Sequence, residues 1–182
     1  EKPIHFEEED LEYLNGFSLI CTSINSHINP ELPKLRPLKP YVAYDFSILE
    51  TDEIFDAVCP HIDFAITSCG DACMEEIQRR CERIHQRGCR YVIASRGKNG
   101  SVFSDGEHLF THPAYLVEAL DTLGAGDSFL TAFLLSFVEW LEGNHDPSEL
   151  ESAVMAAMDA GSKFSAKTCM VHGAFGHGKQ FE

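Results

Sequence analysis

The chain has 182 residues, 44% of them hydrophobic and 24% charged, an ordinary globular composition with enough length to bury one substantial core. Its 14 Lys and Arg against 29 Asp and Glu leave a net charge of −15, and so acidic a surface repels phosphate backbones and anionic lipid headgroups. Nucleic acid and membrane surfaces are therefore poor partners. Seven cysteines are an odd number with no Cys-x-x-Cys pair, which argues against a disulfide scaffold and for thiols packed as small hydrophobes in a reducing cytoplasm. The absence of an initiator Met or an apolar leader at Glu1 suggests a processed chain or the C-terminal part of a longer one.

The acidic run Glu7–Asp10 suits the first turn of a helix, where negative charge complements the dipole. Strand signals follow at Phe17–Thr22, Tyr41–Phe46, Ile62–Thr67 and Tyr91–Ser95, each bounded by Pro, Gly, Asn or Asp. Between the first two, Pro30–Pro40 carries four prolines and reads as a surface loop. A helix is expected over Ala72–Arg87, with Cys73, Ile77, Cys81 and Ile84 on one face, Gly88 as the stop and Asp71 as a candidate N-cap. Strand, helix, strand at this spacing predicts βαβ crossovers and an α/β fold with a mostly parallel sheet covered on both sides. The rhythm then changes, since Ser101–Ser104 and His108–His112 flank Asp105-Gly106, a dipeptide suited to a hairpin turn. A buried helix follows from near Ser128 to Leu141, with Phe129, Phe133, Phe137 and Trp140 as core. It is too short and too interrupted by Glu139 to span a membrane. The last helix has Asp146 as N-cap, Pro147 at its first position and Glu149 to return the capping bond. Ala153, Val154, Ala157, Met158, Gly161 and Phe164 then form a stripe that permits close packing.

One stretch carries chemistry. Asp121-Thr122-Leu123-Gly124-Ala125-Gly126-Asp127 runs straight into the helix, and the unpaired N–H groups of a first helical turn bind an anion. A carboxylate at that place would repel a phosphate unless Asp127 accepts a proton from a hydroxyl attacking the phosphate held by the neighbouring amides. A second loop, Ser95-Arg96-Gly97-Lys98-Asn99-Gly100, leaves a strand end with two cations and suits a phosphate lip at the carboxyl edge of a parallel sheet. Cys169, His172 and His177 match no standard zinc spacing, and no Gly-x-Ser-x-Gly elbow supports a hydrolase.

Asp121 to Asp127 resembles the Asp-Thr-x-Gly-Ala-Gly-Asp signature of the PfkB or ribokinase-like carbohydrate kinases, and Ser95 to Gly100 resembles their Thr-x-Gly-x-x-Gly loop with Ser95 for Thr. The resemblance implies a three-layer αβα ribokinase-like fold. It makes Asp127 the catalytic base and the amides of Gly124, Ala125 and Gly126 the anion hole. Ser95, Gly97, Lys98, Gly100 and Thr122 then line the ATP site. Ser68-Cys69-Gly70-Asp71 stands where the family has Asn-x-x-Glu, so Asp71 is the candidate for magnesium. Tyr44-Asp45-Phe46-Ser47, Pro60–Ala65 and Ala166–Ala174 resemble the fructoselysine 6-kinase subgroup. By that resemblance the chain, residues 1–182, is the C-terminal catalytic and nucleotide-binding portion of a single domain whose Gly-Gly-Asn sugar motif and β-sheet lid lie outside it. The expected reaction is phosphoryl transfer from ATP to a sugar hydroxyl, the 6-hydroxyl of fructoselysine or a related fructosamine, in the cytoplasm. A homodimer of the full-length protein is a further expectation. The alternatives are a kinase of a simple sugar such as fructose or ribose, and a nucleotide-binding module without turnover.

Overall fold

The structure, a computed structural model, describes residues 4–49 and 51–177. Its elements are α1 (Glu8–Leu14), β1 (Leu19–Ser23), α2 (Leu32–Leu35), β2 (Tyr41–Asp45), α3 (Asp52–Val58), β3 (Phe64–Ser68), α4 (Met74–His85), β4 (Tyr91–Ser95), β5 (Ser101–Ser104), β6 (Leu109–His112), α5 (Ala125–Glu142) and α6 (Leu150–Cys169). The strands lie in one sheet in sequence order, and β1 with β2, β2 with β3 and β3 with β4 pair parallel. The described residues fall into two compact units, one within Glu1–Ser95 and Phe103–Leu109, the other within Arg96–Val102 and Phe110–Glu182.

In the first unit β2, β3 and β4 are buried over most of their length, as strands covered on both faces must be. Tyr41, Phe64, Tyr91 and Phe103 form a row of rings across neighbouring strands, with centroids 6.0, 5.0 and 5.7 Å apart. Because Tyr41, Phe64 and Tyr91 each open their strand, this row fills the amino end of the sheet and leaves polar residues for the carboxyl end. Asp63, just ahead of β3, accepts the Val42 N–H at 2.9 Å and the Arg36 guanidinium at 3.1 Å, which fixes where the strand begins.

α1 starts as expected, with a capping box between Glu7 and Asp10 and acidic side chains through its first turn. Pro30–Pro40 is not a surface loop. Pro30 and Pro33 lie within a 3-10 turn, Asn29–Glu31, and within α2, from which Leu32 and Leu35 are fully buried. Pro at the first positions of a helical turn forfeits no hydrogen bond, so a proline-rich stretch can be helical at its start. Beside it the buried Glu31 accepts from the Lys34 ammonium at 2.7 Å and the Phe6 N–H at 2.8 Å, with the His5 ring at 3.3 Å. Lys34 above all, then the Phe6 amide, holds this carboxyl down at about 2.

α4 buries Ile77, Cys81 and Ile84, the expected face, but Cys73 is exposed and serves as the N-cap in a capping box with Glu76. Asp71 is therefore not the cap. All seven cysteines are thiols, and burial pushes Cys59 and Cys81 up to about 12. The β5–β6 hairpin turns at Asp105-Gly106 as expected, with Asp105 Oδ1 accepting the N–H groups of Glu107 and His108 and Gly106 at φ +94.

The second unit is built on α5 and α6. Phe129, Phe133, Phe137 and Trp140 stack along α5 with centroids 6.1, 5.7 and 5.6 Å apart. From α6, Val154, Ala157, Met158 and Gly161 are buried, while Phe164, expected in the same stripe, is exposed. A Cβ on Gly161 would lie 2.8 Å from both the carbonyl oxygen and the ring of Phe129, so the helices approach to a distance only glycine allows. Asp146 caps the chain ahead of α6 by accepting the Ser148 N–H at 2.9 Å. Glu149 does not return that bond through its side chain but turns its carboxylate to His145, 3.4 Å away.

Gly161→Ala is expected to destabilise the protein by about 1–3 kcal/mol, because a ring can turn aside but the Phe129 carbonyl cannot. Urea denaturation followed by circular dichroism measures this as a lower midpoint at unchanged slope.

Candidate functional site

In a parallel sheet every strand delivers its loop to the same end. In the first unit Ser68 and Ser95 are register partners at the carboxyl ends of β3 and β4, and the Cys69 N–H donates to the Ser95 carbonyl at 2.8 Å. The chain then turns through Gly70 at φ +49 to the exposed Asp71. Arg80, reaching up from α4, donates to Thr67 Oγ1 at 3.2 Å and Cys69 Sγ at 2.8 Å, and so places a guanidinium beneath this turn. At the neighbouring strand end Ser47 holds φ +55, an uncommon conformation for a residue with a side chain, fixed by Asp45 Oδ1 accepting its N–H at 2.8 Å. Nothing in the sequence signals that strain. Among the described residues no three His, Cys, Asp or Glu side chains group as metal ligands. Magnesium bound with a nucleotide takes one or two carboxylates and completes its shell with phosphate and water, so the single exposed Asp71 fits that ion.

In the second unit the Arg96–Gly100 loop closes on itself, with the Arg96 N–H donating to the Gly100 carbonyl at 2.8 Å around a 3-10 turn, Gly97–Asn99. Its two glycines answer different demands. Gly97 has φ +53 and open space around it, whereas a Cβ at Gly100, φ +88, would sit 2.1 Å from the His112 carbonyl oxygen. Gly100 is thus required by the close passage of the chain at His112 and Pro113. Gly97 and Lys98 are exposed and face no such demand.

The motif loop Asp121–Asp127 enters α5 through Gly124, which takes a left-handed conformation, φ +79 and ψ +2, as the N-cap. The helix begins at Ala125, three residues earlier than the apolar pattern alone marks, so that Asp127 lies in the first turn. Of the amides expected to face an anion, that of Ala125 already donates to the Thr122 carbonyl at 3.1 Å and would have to share that bond. A Cβ at Gly126 meets no protein atom within 4 Å. No packing demand explains that glycine, and the space beside it suits a close-lying anion. Asp127 and Thr122 are exposed, and the Thr131 hydroxyl donates to the Asp127 carbonyl at 2.7 Å.

Asp121 opens the motif and has a task the sequence does not disclose. Its Oδ1 accepts the Leu123 N–H at 3.0 Å and its Oδ2 the Gly173 N–H at 2.9 Å, while the N–H groups of Leu120 and Asp121 donate to the Cys169 carbonyl. The loop is thereby fastened to the segment that follows α6. The Leu123 amide first, then that of Gly173, lowers the Asp121 pKa below the ordinary carboxylate range.

The sequence model of the pfkB family carbohydrate kinases matches residues 48–174, which include Asp71, the Ser95–Gly100 loop and the Asp121–Asp127 motif. The chain belongs to that family. It is 33% identical over 173 residues to the fructosamine kinase of Bacillus subtilis (strain 168), covering 95% of this chain and 57% of that relative. To the fructoselysine 6-kinase of Shigella flexneri it is 32% identical over 168 residues, 92% of this chain and 60% of the relative. The chain thus spans about three-fifths of the length of these relatives. Among solved structures, aminoimidazole riboside kinase from Salmonella enterica, complexed with aminoimidazole riboside and an ATP analog, superposes with a TM-score of 0.67 at 18% identity, covering 86% of this chain and 57% of the other. Arabidopsis thaliana ribokinase, complexed with ribose and ATP, gives 0.66 at 21% identity over 86% and 52%. These likenesses fix the fold as ribokinase-like, the expected three-layer α/β class with a mostly parallel sheet. No helix among the described residues is long and apolar enough to cross a membrane.

Gly97→Ala is expected to cost about 1–2 kcal/mol from backbone strain alone, and Gly100→Ala clearly more, since it adds a backbone collision; chemical denaturation of the two variants side by side gives the order. Asp121, with its pKa lowered by folding, contributes stability present above its unfolded value of about 3.9 and lost as pH falls through the folded value. Relative to its intrinsic rate at the same pH, the Gly173 amide should accordingly be strongly protected from hydrogen exchange at neutral pH, less protected in strong acid, and unprotected at both in Asp121→Ala.

Proposed function

We propose that the protein transfers the γ-phosphoryl group of ATP to a sugar hydroxyl, with Asp127 as the general base. The observation that carries this reading is the first turn of α5, where a carboxylate shares the helix N-terminus with small residues whose amides can hold an anion. The carboxylate of Asp127 takes the proton of the attacking hydroxyl as its oxygen bonds to phosphorus. The amides of Gly124, Ala125 and Gly126, backed by the helix dipole, take up charge on the phosphoryl oxygens, so catalysis is mostly positioning and electrostatics. Ser95, Gly97, Lys98, Gly100 and Thr122 would contact the nucleotide, and Asp71 would hold the magnesium bound with it.

The acceptor we assign is the 6-hydroxyl of fructoselysine or a related fructosamine. Support comes from the names of two relatives, fructosamine kinase and fructoselysine 6-kinase, at about one-third identity over nearly all of this chain. We place this reaction in the cytoplasm, a reading supported by its use of ATP and by the seven free cysteines.

Asp127→Asn in the full-length protein is expected to lower kcat by about 10²- to 10⁴-fold with ATP affinity nearly unchanged. Coupled ADP release measures the first and calorimetry with ATP and magnesium the second; undiminished turnover overturns the role of Asp127. The same ADP assay with fructoselysine, other fructosamines, fructose and ribose identifies the acceptor. Nucleotide binding without any sugar-dependent release would instead favour a binding module.

A further inference from the structure

Resting on the reading of Asp127 as the base, we infer that the buried hydroxyl pair Ser128–Thr168 is the positioning device that aims its carboxylate. The first turn of α5 has little else to hold it. Ala125, Gly126 and Asp127 are small or exposed, Gly126 touches no neighbour through a side chain, and the opening N–H groups of a helix lack intrahelical acceptors. Ser128 is the first side chain of α5 to be buried, at 0% exposure, and it presents a hydroxyl where an apolar group would pack.

Its Oγ lies 2.6 Å from Oγ1 of Thr168, which is 4% exposed in the last turn of α6. A buried hydroxyl deprived of its partner is costly, so the pair locks the rotation of α5 about its own axis. Consecutive side chains of an α-helix stand about 100° apart, and with Ser128 fixed inward the direction of Asp127 is fixed as well. The same stretch of chain grips the loop again where Asp121 accepts the Gly173 N–H at 2.9 Å, so the base is held from both sides of the helix start. Thr168 reaches no reacting atom in this account and acts through Ser128 alone.

The test compares Thr168→Val, which keeps the shape and removes the hydroxyl, with Thr168→Ser, which keeps the hydroxyl, in the full-length protein. Thr168→Val should lower kcat about ten- to a hundredfold, since a small misplacement of a reacting group costs rates of that order. KM for ATP and for the sugar should stay within about twofold, and Thr168→Ser should recover most of kcat. Adding Ser128→Ala to Thr168→Val should cost nothing further, because both remove one bond. Wild-type kcat in Thr168→Val, or an equal loss in Thr168→Ser, overturns the inference. Hydrogen exchange at the Ser128 amide, which donates to the Gly124 carbonyl at 2.9 Å, gives a readout independent of turnover, faster in Thr168→Val and unchanged in Thr168→Ser. If the wild-type protein releases no ADP with any sugar, the kinase reading fails while exchange still decides the positioning role, and unchanged exchange in Thr168→Val overturns it. Should Thr168→Val not fold, Ser128→Ala alone carries the same comparison.

Discussion

Two helices of 18 and 20 residues, α5 and α6, lie against each other most closely where a side chain is missing. At Gly161 the α6 backbone meets the ring and carbonyl of Phe129 at a distance that excludes even a methyl group. Everything at the start of α5 depends on that approach. It brings the end of α6 near enough for a direct bond between Ser128 and Thr168, and it lets the segment beyond α6 supply a carbonyl from Cys169 and an amide from Gly173 to the motif loop. A wider helix pair would leave the exposed first turn of α5 attached at one end only.

A net charge of −15 is compatible with the proposed anion site because the two act over different distances. Net charge sets the field felt by an approaching polyanion, screened beyond roughly a Debye length of about 8–10 Å. A small anion at a helix N-terminus feels the few dipoles and charges within that length. The same short range governs the paired carboxylates: Asp121 accepts two backbone amides, and Glu31 a backbone amide and a lysine.

The strands were legible to within two residues because β-branched and aromatic residues crowd there between breakers, and the hairpin was legible because Asp105-Gly106 offers both an acceptor and a positive φ. Among the readings that differ from the structure, three do so for reasons visible in the sequence. Prolines at Pro30 and Pro33 suggested a loop although Leu32 and Leu35 stand at helical spacing and are buried. Cys73 was counted with the apolar face although it caps α4 in place of Asp71. Glu149 sets its carboxylate 3.4 Å from His145, four residues back, where the capping pattern expects it to accept the Asp146 N–H. At the candidate site the motif residues were readable as a block, since glycines and an aspartate at a helix start have few other uses. What tied them down was not, because the Ser128–Thr168 bond joins residues 40 apart and the Asp121–Gly173 bond residues 52 apart. No local pattern encodes contacts of that range.

The order of the strands in the sheet is their order in the chain. Each new strand from β1 to β4 docks beside the one made just before it, after a single excursion through helical segments. Loop-closure entropy rises with the chain length enclosed, and here every closure encloses only a short stretch, so the sheet can grow from one edge without waiting for a distant partner. On a ribosome, where residues emerge in chain order, β1 to β4 can pair with one another before the motif loop and α5 are synthesised. The motif loop and α5 are then fastened only when α6 and the residues after it have been made, since Thr168 and Gly173 supply their partners.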